Sequence, residues 1–228
     1  MTKSKYLVRI AEPRDIQPII EMCRSVYSDS PPWTEEQLKG HQQIFPEGQL
    51  IVEDLVAKSI VGYAASLIVN WDDYDWTTSW RDFTAGGTFT NHDPLNGRTL
   101  YGAEIMVHPK YQGSGIGSRL YVARENLVRS KKLLRIRAGA RLRGYGLHAP
   151  KMSAEEYVTA VIKKKMRDPT LSFQLKRGFK VLRVIPGYLR FDSESLGYAA
   201  VIEWMNMDIA TEKDLRHFRA SSFHQTDS

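Results

Sequence analysis

The chain has 228 residues, of which 42% are hydrophobic and 25% charged, and a net charge of +6. This length suits one globular domain, with or without insertions, and the charge suits an anionic partner. No apolar run could span a bilayer, and residues 1–5 lack the apolar core of a signal peptide, so we expect a cytoplasmic protein without a membrane partner. The single cysteine, Cys23, excludes an internal disulfide and indicates core packing.

The N-terminal region predicts a strand, two helices and a hairpin. Tyr6–Ile10 is a short β-prone run, and apolar residues recur at helical spacing after Asp15. Thr34 to Gln37 forms a capping box for a second helix. Two β-rich runs, 49–54 and 60–70, flank a turn and predict the hairpin.

Residues 71–98 form a first insertion without a clean hydrophobic period. Between positions 71 and 93 there are five Asp and one Arg, interleaved with aromatic residues. Such a loop can hold an ammonium group by charge and cation–π contact. A plug in the core or a subunit contact is an equally good interpretation. The candidate ligand-binding residues are Trp71, Asp72, Asp73, Tyr74, Asp75 and Trp76.

The central segment, residues 99–131, reads as strand, glycine turn and helix. A β-prone run ends at Val107, and the spaced glycines of residues 112–117 follow it. Glycines let backbone N–H groups converge, and they lead into a helix N-terminus, which favours a phosphate. No Lys-Ser or Lys-Thr follows the glycines, which excludes a Walker loop.

The C-terminal half continues the mixture of strands and helices. A strand is expected at 133–138 and a second insertion at about 139–166, with a helix capped at Ser153 and running to about Arg167. A short helix from Asp168-Pro169, strands at 180–185 and 198–207, and a polar tail at 211–228 complete the prediction.

Between 118 and 143 there are nine Lys or Arg and one Glu. We interpret most of these charges as a solvated helix face and expect some to face phosphates at the glycine turn. A basic nucleic-acid-binding module is a third hypothesis, disfavoured because no reader motif accompanies the charges.

The run V-H-P-K-Y-Q-G-S-G-I-G closely resembles the pyrophosphate loop of the GNAT acyltransferases, with signature Q/R-x-x-G-x-G/A, and Gln112, Gly115 and Gly117 match its fixed positions. Residues 168–179 resemble a later motif of that family. The sequence, including both insertions, is most similar to GNAT domains fused to nitrilase-like carbon–nitrogen hydrolases. The chain is therefore expected to be a stand-alone relative or an excised domain. The resemblance implies one domain over 1–210, an α/β (α+β) fold with a central mixed sheet flanked by helices.

The resemblance further implies transfer of an acetyl group from acetyl-CoA to a primary amine, with no metal. Acetyl-CoA would lie between the central strand and the strand that follows the helix. The expected cofactor-binding residues are Met106, Val107, Gln112, Gly113, Ser114, Gly115, Ile116, Gly117, Ser118 and Gln174. The acceptor is expected to be a small cationic molecule walled by residues 71–93.

Two catalytic candidates follow. Glu104 is a carboxylate inside the apolar central strand and could accept the proton of the amine. Strict alternation places Glu104 on the face opposite Tyr101, and a bulge would bring it back. In the family that the chain resembles, a tyrosine usually protonates the leaving thiolate. The matching position in this chain is Gln174, which cannot act as an acid. Tyr188, Tyr145 or water could replace it, and we favour Tyr188.

A second hypothesis is a non-catalytic domain that binds acetyl-CoA and regulates or scaffolds a carbon–nitrogen hydrolase. The missing motif tyrosine and the fusion resemblance support it. The sequence does not identify the acceptor, and both a homo-oligomer and a monomer agree with it.

Overall fold

The computed structural model describes residues 4–27, 31–190 and 192–219. Seven strands form one sheet in the order β1-β2-β3-β4-β5-β7-β6. The strands are β1 (Tyr6–Ile10), β2 (Gln49–Asp54), β3 (Ser59–Val69), β4 (Thr99–Val107), β5 (Arg135–Arg141), β6 (Lys180–Ile185) and β7 (Ala199–Met205). Neighbouring strands are antiparallel except β4 and β5, which are parallel. The predicted mixed sheet is confirmed.

Helices cover both faces of the sheet. One face packs against α1 (Ile16–Val26), α2 (Glu35–Ile44) and the 71–98 insertion, which contains the single turn α3 (Trp80–Phe83). The other face packs against α4 (Ile116–Ser130), α5 (Ala154–Ile162) and α6 (Leu171–Lys176). Within the described ranges, no helix is long and apolar enough to cross a membrane.

The helix starts follow the local capping chemistry. At Thr34 and Ser153 the side-chain oxygen accepts the N–H three residues later, as predicted. Ser79 forms a further capping box with Asp82, which starts α3 inside the insertion. Side-chain caps satisfy N–H groups that a helix cannot satisfy internally.

Several boundaries differ from the prediction; the strand expected at 133–138 runs from Arg135 to Arg141, so the second insertion starts later than 139. The helix expected to reach Arg167 ends at Ile162, because Lys164 takes a left-handed backbone conformation with φ 57°. Regular α-helix begins at Leu171 rather than at Pro169, but Asp168 already caps this segment: its Oδ1 accepts the N–H groups of Thr170 and Leu171, and its carbonyl accepts that of Ser172. Part of the expected tail forms α7 (Glu212–Arg219), and the remainder, 220–228, lies outside the described residues.

Candidate active site

Strands β4 and β5 run side by side for only three residues. The paired positions are Thr99 with Arg135, Leu100 with Ile136 and Tyr101 with Arg137. Beyond them β4 continues to Val107 and β5 to Arg141, so a gap opens between the two strands. The N–H of His108 bonds to the carbonyl of Val61 on β3 over 3.0 Å. Because backbone groups alternate along a strand, the groups of Ile105 and Val107 face the gap.

A β-bulge interrupts β4 at Ala103. Against β3, Glu104 pairs with Ala65 but Gly102 pairs with Ser66, which leaves Ala103 as the extra residue. The bulge turns the Glu104 side chain to the α1 face, and Ile105 packs on the α4 side. The expected bulge is therefore present. Strict alternation would place Val107 on the same face as Tyr101, but after the bulge Val107 packs on the α4 side.

The Glu104 carboxylate is half-buried and receives two hydrogen bonds. The hydroxyl of Tyr27 donates to Oε1 over 2.7 Å, and the N–H of Ile105 donates to the same oxygen over 2.9 Å. Burial raises the pKa of Glu104, while these bonds and the charges of Arg124 and Arg141 oppose part of the rise. A carboxylate with a raised pKa is suited to accept a proton near neutral pH.

Two side chains hold the backbone around the bulge. The indole N–H of Trp80 donates to the carbonyl of Ala103 over 2.8 Å, which ties the first insertion to β4. From the opposite face Arg124, only 1% exposed, donates to the carbonyls of Ala65 and Glu104. Arg124 is thus an exception to the solvated helix face expected for most of the basic residues between 118 and 143. Its four-residue spacing from buried Leu120 was the signal that could have revealed it.

Tyr188 lies where β4 and β5 part. Its hydroxyl contacts the hydroxyl of Tyr101, the last paired residue of β4, and accepts the N–H of Gly139 over 3.2 Å. A Cβ at Gly139 would lie 2.1 Å from the Tyr188 ring, so glycine is required there. Burial raises the pKa of Tyr188 above its ordinary value, which keeps the hydroxyl protonated. Tyr145 packs instead in the core beneath α5, on the other face.

The glycine turn ends at the N-terminus of α4. Gly113 and Gly115 have φ of 80° and 83°, the left-handed region that favours glycine. The side chains of Gln112 and Ser114 are exposed, whereas that of Ile116 is buried and leaves only its backbone for a ligand. Residues Ile116 to Ser118 form the first helical turn, whose N–H groups have no acceptor within the helix. Gly117 lets α6 approach, since a Cβ there would lie 3.2 Å from Phe173.

The remaining predicted cofactor residues are placed differently. Met106 pairs with Tyr63 of β3, which turns its backbone groups away from the gap, and its buried side chain packs on the α1 side of the sheet. Gln174 is also buried, and its amide donates to the hydroxyl of Tyr121 over 2.9 Å. The structure therefore places the Gln174 side chain in the core beside α4, not at the glycine turn. Among the described residues, no group of His, Cys, Asp and Glu side chains is arranged to hold a metal ion.

The first insertion divides into a buried aromatic part and an exposed acidic part. Trp71 stacks on Phe83, which stacks on Tyr101, and Tyr74 also packs on Phe83. Trp76 is 38% exposed and lies against Arg183 on β6. The interpretation of these aromatic rings as a plug over the core therefore holds for the buried part.

The three aspartates point to solvent. Asp72 lines a depression with Arg98 and Thr99, Asp73 accepts from Asn70, and Asp75 bonds to Thr77. Thr99 precedes Glu104 by five residues, about 17 Å along a strand. The hydrogen bonds of Asp73 and Asp75 stay within residues 70–78, so they give no support to the acidic wall expected beside Glu104, which stays a prediction.

A mixed sheet that opens between two parallel strands, beside a glycine turn and a helix N-terminus, is the arrangement expected from the resemblance to the GNAT acyltransferases. Residues 15–144 match the model of the Acetyltransferase (GNAT) family. The chain belongs to this family of N-acetyltransferases.

Known proteins resemble the chain over most of its length. It is 40% identical over 219 residues to the "Probable hydrolase YhcX" of Bacillus subtilis, covering 96% of the chain and 42% of that protein. It is 38% identical over 175 residues to the "Uncharacterized N-acetyltransferase YkwB" of the same organism, covering 77% of the chain and 76% of that protein. The loading GNATL domain of CurA from Lyngbya majuscula has a TM-score of 0.76 at 20% identity, covering 89% of the chain and 98% of that domain.

Proposed function

We propose that this protein transfers an acetyl group from acetyl-CoA directly to a primary amine. The observation that carries the proposal is the Glu104 carboxylate, which the bulge turns to the α1 face beside the gap and which Tyr27 holds by a hydrogen bond. A pantetheine arm is extended and polar, and fits a gap edged by the backbone groups of Val107 and the carbonyl of Ile105, whose N–H is bonded to Glu104. The glycine turn offers backbone N–H groups to the pyrophosphate.

The chemistry needs a base and a site for negative charge. An alkyl ammonium has a pKa near ~10.4 and must lose a proton before it attacks the thioester carbonyl. Glu104 would take that proton, directly or through water. The attack gives a tetrahedral oxyanion, which a backbone N–H facing the gap, such as that of Val107, would stabilise. Collapse breaks the C–S bond, and the thiolate receives its proton from the Tyr188 hydroxyl or from water.

The acceptor is proposed to be a small cationic amine. The support is now the environment of Glu104 itself and not the exposed aspartates. Tyr27 and Trp80 lie beside the carboxylate and the bulge, and aromatic rings with a carboxylate suit an ammonium group.

A panel of amines tests the proposal. The purified chain is incubated with acetyl-CoA and, separately, polyamines, amino acids, neutral aliphatic amines and N-terminal peptides, and CoA release is followed together with the mass of the product. We expect a product heavier by one acetyl group and a preference for small diamines. CoA release without an acetylated amine would contradict amine transfer.

The second candidate is a domain that binds acetyl-CoA without transferring the acetyl group and acts on a carbon–nitrogen hydrolase. Two observations favour it. The position of the motif tyrosine is occupied by Gln174, which is buried, and the chain covers 42% of a protein named as a probable hydrolase. Calorimetric binding of acetyl-CoA without turnover over the whole panel would support this candidate over the first.

A further inference from the structure

Arg124 on α4 carries its charge in the protein interior. The side chain is 1% exposed, and its hydrogen-bond acceptors are neutral oxygens: Oγ of Ser66 at 3.0 Å, the carbonyl of Ala65 at 2.7 Å and the carbonyl of Glu104. A buried guanidinium loses its hydration, and an apolar side chain of the same volume would avoid that cost. The position of the three acceptors indicates what the charge does.

These acceptors lie on both sides of the register break between β3 and β4. Ala65 and Glu104 form the last pair in one register, and Ser66 belongs to the first pair in the next. A single planar guanidinium thus bridges the strands at the bulge, a geometry that one ammonium or one amide cannot reproduce. Space is tight, because a Cβ on Gly102 would lie 3.1 Å from Nη1 of Arg124.

The same helix begins at the glycine turn. Arg124 follows Ile116 by eight residues, which is about 12 Å of helix. Leu120, between them, is fully buried against the sheet, so α4 is seated on β2 and β3 along this length. The turn and the bulge are therefore two ends of one rigid connection.

We infer that Arg124 is a positioning residue for the proposed transfer: it fixes the β4 bulge, and with it the Glu104 carboxylate, relative to the turn that would hold the pyrophosphate. This inference rests on the proposed function for its kinetic part only. The geometry also has an electrostatic consequence, because the Arg124 charge lowers the pKa of Glu104 against the larger effect of burial.

The test compares R124Q and R124K with wild type, and uses R129Q as the control because Arg129 is a partly exposed arginine on the same helix. The pKa of Glu104 is measured by NMR titration of protein labelled with ¹³C at the glutamate carboxyl carbon. We expect R124Q to raise that pKa by about one unit and to lower kcat for the amine about tenfold or more, with KM for acetyl-CoA within about twofold. R124K should restore most of the pKa and part of kcat, and R129Q should match wild type.

A folded R124Q with an unchanged Glu104 pKa and unchanged kcat would overturn the inference. If R124Q does not fold, S66A and G102A replace it: the first removes one acceptor and the second presses on the guanidinium. Each should lower kcat at unchanged acetyl-CoA binding, and wild-type kcat in both would contradict the inference. Because the NMR titration needs no turnover, an inactive wild type would refute the proposed function while leaving the role of Arg124 at the bulge open to measurement.

Discussion

The hydroxyl of Tyr27 at the end of α1 donates a hydrogen bond of 2.7 Å to Oε1 of Glu104 on β4, across 77 positions of sequence. Burial raises the pKa of Tyr27, so its hydroxyl stays protonated and acts as a donor. The carboxylate is thus oriented by a helix on one side of the sheet, while Arg124 supports its backbone from the other side. Glu104 is therefore held by contacts from both faces of the sheet.

We predict that E104Q lowers turnover of the amine about 10²-fold, the size of effect usual for the loss of a general base. Acetyl-CoA affinity should change less than twofold, because the pyrophosphate turn is untouched. The rise of kcat/KM with pH should also flatten.

The companion variant Y27F removes one hydrogen bond that stabilises the carboxylate. It should therefore move the rising limb of the profile to higher pH while keeping most of the turnover. Stopped-assay kinetics between pH 5.5 and 9.5 would check both variants, and an E104Q enzyme with near-wild-type turnover would make Glu104 structural.

The glycine turn can be tested by strain at one position. Gly115 has φ of 83° with open space where a Cβ would lie, so a valine there is opposed by the backbone and not by a clash. We predict that G115V weakens acetyl-CoA binding about tenfold or more by moving the N–H groups of the turn.

Gly86 provides the matched control, because its φ is 71° and its Cβ position is equally open, yet it lies in the first insertion. Acetyl-CoA binding to both variants is measured by calorimetry after circular dichroism has shown that they fold. The comparison distinguishes a loss of binding specific to the turn from a general effect of backbone strain. Equal affinity in the two variants would argue against a pyrophosphate at this turn.

Tyr188 is predicted to assist departure of the thiolate. Y188F removes the hydroxyl that contacts Tyr101 and accepts from Gly139, and should lower kcat about tenfold with little change in acetyl-CoA affinity. The control is Y145F, since Tyr145 lies in the core of the other face. Burst kinetics would show whether the lost rate belongs to chemistry. A Y188F enzyme indistinguishable from Y145F would leave protonation of the thiolate to water.

The exposed aspartates are predicted to have no part in acceptor binding. The triple variant D72N/D73N/D75N should keep KM for a cationic amine within about twofold at both low and high salt, because these charges are exposed to solvent and Asp73 and Asp75 bond within the insertion. Steady-state kinetics with a diamine at two ionic strengths provides the measurement. A salt-dependent rise of KM would restore the acidic wall expected from the sequence.

His41 is predicted to destabilise the protein in acid. It stacks on Phe89, its Nε2 bonds to the carbonyl of Gly87 over 2.7 Å, and burial lowers its pKa to about 4. The unfolded chain binds a proton near pH ~6.5 and the folded chain does not, so stability is full above that pH and falls as the pH drops toward about 4, by up to ~3 kcal/mol.

Urea unfolding at pH 7.5 and 5.0 would therefore show a loss for wild type and a smaller loss for H41Q. Identical losses in the two proteins would mean that other groups account for the acid sensitivity.

The sequence by itself determined the local elements and the turn. Side-chain caps at Thr34 and Ser153, the hairpin, and the glycines of residues 112–117 depend on neighbours within a few positions, so their chemistry is readable from the chain. The resemblance of the turn to the GNAT loop supplied the mixed sheet and the place of the ligand beside its central strand, which local patterns could not.

Only the tertiary structure decided which side chains meet at the gap. The bulge at Ala103 reverses the facing of Glu104, and Arg124 and Trp80, distant in sequence, hydrogen-bond to the backbone at it. The aspartates of the first insertion were assigned to the acceptor by charge alone, but their position follows from the stacking of Trp71 and Phe83 over Tyr101. Long-range contacts of this kind depend on how separate elements pack, and no local pattern of residues encodes them.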